Sequence, residues 1–464
     1  MITRLRGMLR AGALSLLVAC AHYEAQPLDT PALADAWRGR TLADTALLRV
    51  VTARAGAPAA GRWTAAQLAV AAQARHTDVA EARAALEVAR AGETTAGARP
   101  QPGVSGEFGR ATDPGPFESP WFGSVALSVT IELGGKRGAR IAAARARTAR
   151  ATVDVAGADW AVAVRTHAAH AAALSADSLL AVLDEERARL GAVLGSARRR
   201  EEQGEVSRGD LARLASEQAT LEVERERVAA EREVTRQELA RSLAMPRAPL
   251  DAMRPEPDQL DGCRAAAPLT TAALEERALT TRIEVGRALA DYAESEASLR
   301  FEVARTWPDL VLGPGFVWDG GVHRWNLLAT LPELMVNRNR GPIAEATARR
   351  QAAGIRVDAA QQAVLADVSA ARAACTGALH QLAVADSAVG ALAREAGVIG
   401  AAVERGERGE RDLLAMGLVQ ARARREQLGA TARVRDAGLA LERAVGGWLA
   451  QPAPAMDSGT ERTQ

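Results

Sequence analysis

The feature that most constrains this chain is a repeat. Ile141-Ala142, Arg147, Glu202, Gly204 and Asp210-Leu211 recur 202 residues later as Ile343-Ala344, Arg349, Glu404, Gly406 and Asp412-Leu413. Alanine-rich sequence aligns easily with itself, but chance alignment does not keep punctuating Gly and Asp in register. The chain is therefore an internal duplication. Each half contains a long stretch without proline, between Pro120 and Pro246 and between Pro342 and Pro452. Proline breaks helices by removing an N–H and clashing with the preceding turn, so its absence permits helices of unusual length. Gly138 to about Arg200 reads as one helix of about 60 residues, or ~90 Å at 1.5 Å per residue.

Leu179, Val182, Leu183, Leu190, Val193 and Leu194 mark an apolar stripe near the coiled-coil period, and Leu211, Leu214, Leu221 and Val228 mark a second. Between the stripes, Gly204 and Gly209 interrupt the helix, and Ser207 or Asp210 can cap the next one. The expected unit is a long antiparallel helical hairpin with a small turn at its tip. Hydrophobic residues make up 48% of the chain but aromatics only 3%, so alanine carries much of the apolar content. Alanine favours helix and lets helices approach closely. A formal net charge of +1 offers no case for nucleic acid. Lys136 is the only lysine, which leaves almost no material for Schiff-base or Walker-lysine chemistry.

Each half also carries a pair of candidate strands. Val125 to Glu132 alternates apolar with small or polar residues, placing Val125, Leu127, Val129 and Ile131 on one face. Its partner runs from about Gly103 to Gly109, with Val104 and Phe108 on the apolar face. In the second half, Leu310–Trp318 and Trp325–Leu331 form the equivalent pair. Trp121, Trp318 and Trp325 fall near strand ends, where membrane barrels keep interfacial aromatics; a soluble sandwich is the alternative. Transmembrane strands need ~9–11 residues, and these are about that long. Four strands cannot close a barrel, and open edges in lipid leave backbone groups unpaired. If the strands enter a membrane, several chains must share one barrel.

The amino terminus has a basic region (Arg4, Arg6, Arg10) and a short apolar run from Ala11 to Ala19, and reads as a signal peptide. It ends in Leu17-Val18-Ala19-Cys20, which resembles the bacterial lipobox, whose cysteine is lipidated. Ala21 after the cysteine then favours the outer membrane. Cleavage takes three arginines from a chain of formal charge +1, leaving −2. Cys263 and Cys375, far apart in sequence, read as free thiols, with an accidental pair as the lesser alternative. The expected organisation is a leader (1–19), a lipidated segment (20–62), a first repeat (63–245), a Pro-rich linker (246–269), a second repeat (270–449) and a flexible tail (450–464).

Further motifs carry a family likeness. They are Ala96-Gly97-Ala98-Arg99-Pro100 before the first strand, Gly134-Gly135-Lys136-Arg137 at the first long helix, Trp307-Pro308-Asp309-Leu310, and Asn337-Arg338-Asn339-Arg340-Gly341-Pro342-Ile343. With the lipobox and the duplicated tips, the chain from Cys20 to about Leu449 resembles the TolC-like outer-membrane efflux proteins, within them the lipoprotein branch typified by the heavy-metal efflux component CzcC. The resemblance implies a mainly α fold with a small β part: a homotrimer whose twelve-stranded barrel in outer-membrane lipid continues into an α-helical tunnel through the periplasm. It also implies partners, a periplasmic adaptor (membrane fusion protein) and an inner-membrane pump of RND type.

The hairpin tips are the expected adaptor-contacting residues: Gly204, Ser207, Asp210 and Leu211 in the first, Gly406, Asp412 and Leu413 in the second. Gly409 stands where Ser207 does, so identical contacts at both tips are not expected. Glu202, Glu404, Glu407 and Glu410 near the tips are candidates for a threefold acidic ring favouring cations. Arg405 and Arg408 interleave with them, so ion pairs holding the tips shut are an equal candidate. His167 and His170, spaced i and i+3, are too few for zinc and read as a solvated helix face. His323 is placed in an external loop. No nucleophile–base pair or phosphate loop stands in a catalytic context. No enzyme, cofactor or metal centre is expected. The favoured function is a passive exit duct fed by an energised pump; the alternative is a non-conducting scaffold or adaptor lipoprotein. Cargo, whether metal cations or drugs, is not readable from the sequence.

Overall fold

A computed structural model describes residues 23–59, 61–113, 119–251, 253–256, 262–331 and 337–449. The leader, Cys20 and the tail 450–464 lie outside the described residues. The chain divides into two units, the first ending at Thr41. That unit contains α1 (Thr30–Arg38), capped by the Asp29 carboxylate, which accepts from the Ala32 N–H.

The second unit starts at Leu42. It opens with α2 (Thr45–Ala55), β1 (Arg62–Trp63), α3 (Ala65–Arg75) and α4 (Thr77–Gly97), then β2 (Gly103–Arg110) and β3 (Trp121–Ile131). The long hairpin α5 (Lys136–Glu202) and α6 (Arg208–Ser242) follows. A linker bearing β4 (Arg254–Pro255) and α7 (Gly262–Ala266) leads to α8 (Thr271–Thr281), α9 (Ile283–Ala304), β5 (Leu310–Asp319), β6 (Val322–Thr330), α10 (Arg340–Glu404) and α11 (Glu410–Val445). The order from α3 to α6 is repeated from α8 to α11, so the duplication is one of structure as well as sequence. Caps repeat too. Thr64 accepts from the Gln67 N–H at the start of α3, and Thr270 from the Ala273 N–H at the start of α8.

The 67 residues of α5 span about 100 Å at 1.5 Å per residue. Glycine starts this helix: Gly134 and Gly135 hold φ of +69° and +73°, a region open to glycine and costly for other residues. The second long helix starts from Arg338 and Asn339 at φ of +45° and +51°. Between mid-height and the tips, Leu183, Leu190 and Leu194 of α5 are buried, the first two with Leu221 and Val228 of α6 and Leu418 of α11; Leu179, Val193 and Leu214 pack on the rim. The two hairpins therefore pack on each other as well as internally.

Each repeat has its own apolar core at mid-height. The first gathers Leu42, Leu47, Val51, Trp63, Leu68 and Val79 with Val162, Leu239 and Leu243. The second gathers Leu274, Val285, Val364, Val368 and Leu441 around Cys263 and Cys375. These cysteines are not free thiols. They form a disulfide joining α7 to α10, with Cα atoms 5.2 Å apart across 112 residues. The fold brings them together because α7 is pressed onto α11 by glycines: a side chain at Gly262 would meet the Gly438 carbonyl at 3.0 Å.

His167 and His170 also differ from expectation. Neither is solvated; they are 4% and 1% exposed. The segment after α11 brings Trp448 back onto α5, stacking it on His167 at 4.1 Å and against Trp160 at 4.9 Å. Burial drives the imidazole of His167 down to about 3 and that of His170 to about 4.

The four-stranded sheet is antiparallel throughout, in the order β2-β3-β5-β6. Its register puts Val104 opposite Leu127, Val125 opposite Phe316, and Phe316 opposite Trp325. Between β3 and β5 the ladder skips Leu127 and Ser128 without changing register. Pro314, opposite that gap, has no N–H to donate. His323 is the second residue of β6, not a loop residue, and its ring lies 5.7 Å from that of Phe316.

Candidate duct: sheet, helical hairpins and tips

Because directly opposed residues share a face, the register sorts the sheet into two sides. One side carries Val104, Phe108, Val125, Leu127, Val129, Ile131, Leu312, Phe316, Trp325 and Leu327. The other carries Ser105, Glu107, Ser124, Ser128, Thr130, Gly313, Gly315, Arg324 and Asn326, with Phe122, Val311, Val317 and Leu328 among them. The apolar side is open to solvent in the single chain: Val104 is 77%, Leu327 70% and Trp325 84% exposed. At the end away from the helices an aromatic group collects. Phe316 lies 5.0 Å from Trp325 and 6.1 Å from Trp318, Phe108 stacks on Trp121 at 5.2 Å, and Arg110 lies over the Trp121 ring. Strands β2 and β6 are free edges of this sheet.

At the opposite end, two sequence motifs meet. Lys136 donates to Asp309 at 2.8 Å, although its side chain is only 10% exposed. Trp307 sits against Gly134, where any side chain would meet it at 2.5 Å. Arg140 pairs with Glu132 at 2.5 Å and donates to the carbonyls of Ala96 and Ala98. The Asn339 amide donates to the carbonyl and carboxylate of Glu302. These contacts tie the strand ends to the first turns of α5 and α10.

Both tips are exposed. In the first, Gly204 takes φ of +75° to reverse the chain, and Ser207 caps α6: its Oγ accepts from the Asp210 N–H at 3.0 Å and donates to the Asp210 carboxylate at 2.8 Å. Arg200 pairs with Glu205, and Arg208 with Glu201. In the second, Gly406 at φ of +74° makes the same reversal, but Gly409 supplies no side-chain cap. Arg405 grips Glu407 at 2.8 Å within the same turn and holds its carboxyl below the ordinary range; Arg411 lies 3.4 Å from Asp412. Leu211 is half-buried and Leu413 exposed, while Glu202, Glu404, Arg408 and Glu410 lie open on the surface. Among the described residues no hydrogen bond or ion pair joins one tip to the other.

The hairpins are joined further from the tips, by charges that sequence reasoning passed over. Glu186 of α5 is buried, and its carboxylate faces Arg422 at 3.3 Å and Arg425 at 3.1 Å, both from α11. Arg422 also reaches Glu217 of α6 at 2.9 Å, and Arg424 pairs with Glu185. A signal existed: Glu186 falls between Leu183 and Leu190 at core spacing, where an acid needs a partner.

No described helix is long and apolar enough to cross a membrane. Among the described residues no group of three or more His, Cys, Asp or Glu could hold a metal ion.

Residues 68–245, which run from α3 to just past α6, match the family described as outer membrane efflux protein. No curated protein matches the sequence. Among solved structures, the outer-membrane channel OprN aligns with a TM-score of 0.67 at 16% identity, over 92% of this chain and 99% of its own. A membrane protein from Pseudomonas aeruginosa aligns with a TM-score of 0.65 at 18% identity, over 84% and 94%. The CmeC outer membrane channel of Campylobacter jejuni gives 0.61 at 14%, over 84% and 87%. Residues 68–245 thus match the outer membrane efflux protein family, and over most of its length the chain has the fold of the TolC-like outer-membrane channels.

Proposed function

We propose that this protein is the outer-membrane duct of a tripartite efflux system: a passive exit through which an inner-membrane pump, of RND type, expels substrate by way of a periplasmic adaptor. The observation that carries the reading is the sheet. Its apolar face is exposed and its two edge strands are unpaired, and in lipid neither edge can stay open. Strands β2 and β6 run in opposite directions, so β6 of one copy can pair with β2 of the next and keep the ladder antiparallel around a ring. Three copies contribute twelve strands, and closure leaves the apolar face toward lipid and the face with most of the small and polar side chains toward the lumen.

The helical hairpins, about 100 Å long for α5, are far longer than the ~30 Å hydrocarbon layer and extend the duct into the periplasm. The tips, with Gly204, Ser207, Asp210 and Leu211 beside Gly406, Asp412 and Leu413, face the adaptor. Cys20 is the lipid attachment point. Metal cations or drugs are the candidate cargo, and the pump selects between them.

Purified full-length protein in planar bilayers tests the reading. Stable conducting units and a trimer mass in detergent are expected. A stable monomer without conductance would leave a scaffold or adaptor lipoprotein instead. Intact-mass analysis of membrane-extracted protein, with and without Cys20→Ser, tests the acyl anchor separately.

A further inference from the structure

The end of the sheet nearest the long helices carries a surplus of arginine. Among the described residues its acids are engaged: Asp309 by Lys136 at 2.8 Å, Glu132 by Arg140 at 2.5 Å, and Glu302 by Arg305 at 3.2 Å. Arg99, Arg137, Arg338 and Arg340 remain. All four are exposed, and no described carboxylate lies within ion-pair distance of any of them. Arg137 gives one N–H to the Gly97 carbonyl at 2.8 Å, and its guanidinium has no acid partner. Trp307, 56% exposed, stands at the same level against Gly134. The far end of the sheet differs: there Arg324 has Asp319 at 3.8 Å and Arg110 lies over Trp121.

Four guanidinium groups with no described acid partner stand at this end of the sheet, and threefold symmetry would make them twelve. Such a concentration of positive charge attracts an anion. At this level the exposed apolar face ends, at Ile131 and Leu310, so the anion on offer is a headgroup. Arginine suits phosphate because its planar fork donates two parallel hydrogen bonds, and its long stem can lie along apolar surface while the head reaches the interface. An exposed indole beside such bases is a further interfacial anchor. We propose that this arginine collar binds the phosphate of anionic phospholipids in the leaflet on the helical side of the membrane. The proposal rests on the reading of the sheet as a membrane ribbon.

The test uses full-length protein in vesicles of phosphatidylcholine alone or with phosphatidylglycerol. Wild-type protein should associate roughly tenfold or more tightly with the anionic vesicles at low salt, and the preference should vanish at about 1 M salt. Arg137→Gln, Arg338→Gln and Arg340→Gln should each lower the preference about fivefold, and Arg→Lys at the same positions should restore most of it. Circular dichroism confirms folding of each variant. Inorganic phosphate at millimolar concentration should leave the preference intact; complete displacement would mean a free-anion site and overturn the lipid assignment. Channels that conduct in both lipid mixtures with no anionic preference would overturn the collar alone. Failure to conduct or insert in either mixture would instead remove the membrane reading beneath it.

Discussion

Lys136 Nζ lies 2.8 Å from Asp309 Oδ1, joining the first residue of α5 to the residue before β5 across 173 positions of sequence. The only lysine of the chain is thus a nearly buried tie between the two repeats, at the point where strand gives way to helix. Lys136→Met should lower stability by about 2 kcal/mol, less than a fully buried pair would cost because Asp309 keeps 30% of its side-chain exposure. Removing both charges should cost less than the sum of the single changes. Thermal unfolding of Lys136→Met, Asp309→Asn and the double variant measures the coupling, and strict additivity would show that the pair is only a neighbourly contact.

The disulfide closes a loop of 112 residues and anchors α7, a helix of five residues too short to hold itself. Cys263→Ser should lower stability by about 2–4 kcal/mol. Denaturant titration of the variant against the oxidised wild type reads this directly. Thiol labelling of unfolded, unreduced protein should find neither Cys263 nor Cys375 reactive; labelling of both would contradict the bond.

The clasp of Glu186 with Arg422 and Arg425 ties α5 to α11 well above the tips. If the duct opens by parting the hairpins, Glu186→Gln should raise single-channel conductance. Charge reversal at Arg405 and Arg408 should raise it less, since Arg405 is already paired with Glu407 inside its own turn. Bilayer recordings of the two variants rank them, and equal, unchanged conductance would remove both from gating.

His167 and His170 set a pH dependence whose sign follows from burial. Their folded values, about 3 and about 4, lie below the ordinary 6.5. The unfolded chain therefore binds more protons than the folded one as pH falls below 6.5. Stability contributed by the neutral rings is complete above 6.5, is lost progressively below it, and stops falling once the folded values are passed. The loss reaches about 3 kcal/mol for His170 at the acid end. His170→Asn should flatten the slope of melting temperature between pH 6.5 and pH 4, and an unchanged slope would show that the acid sensitivity lies elsewhere.

Much of the architecture could be read locally. The strand faces followed from alternation in Val125 to Ile131, and the coiled-coil stripe from Leu183, Leu190 and Leu221, because such periodicities describe how one element meets solvent or its neighbour. The helical joint was marked by motif as well: Gly134-Gly135-Lys136 announced a helix start. What it could not announce was that Lys136 and Asp309 would be partners. The histidines depart from expectation for a related reason. Their neighbours on α5 are mostly alanine, which gives no sign of burial, and the residue that buries His167 is Trp448, far along the chain.

What the amino-acid order alone determined is therefore the set of parts: paired strands, paired helices with glycine reversals, and their duplication. The parts depend on backbone propensities acting over a few residues, and their duplication on a repeat read directly along the chain. What only the tertiary structure decided is which distant side chains meet: Cys263 with Cys375, Glu186 with Arg422, Lys136 with Asp309. Those pairings depend on how elements separated by a hundred residues or more come to lie side by side, and no local pattern in the chain encodes that geometry.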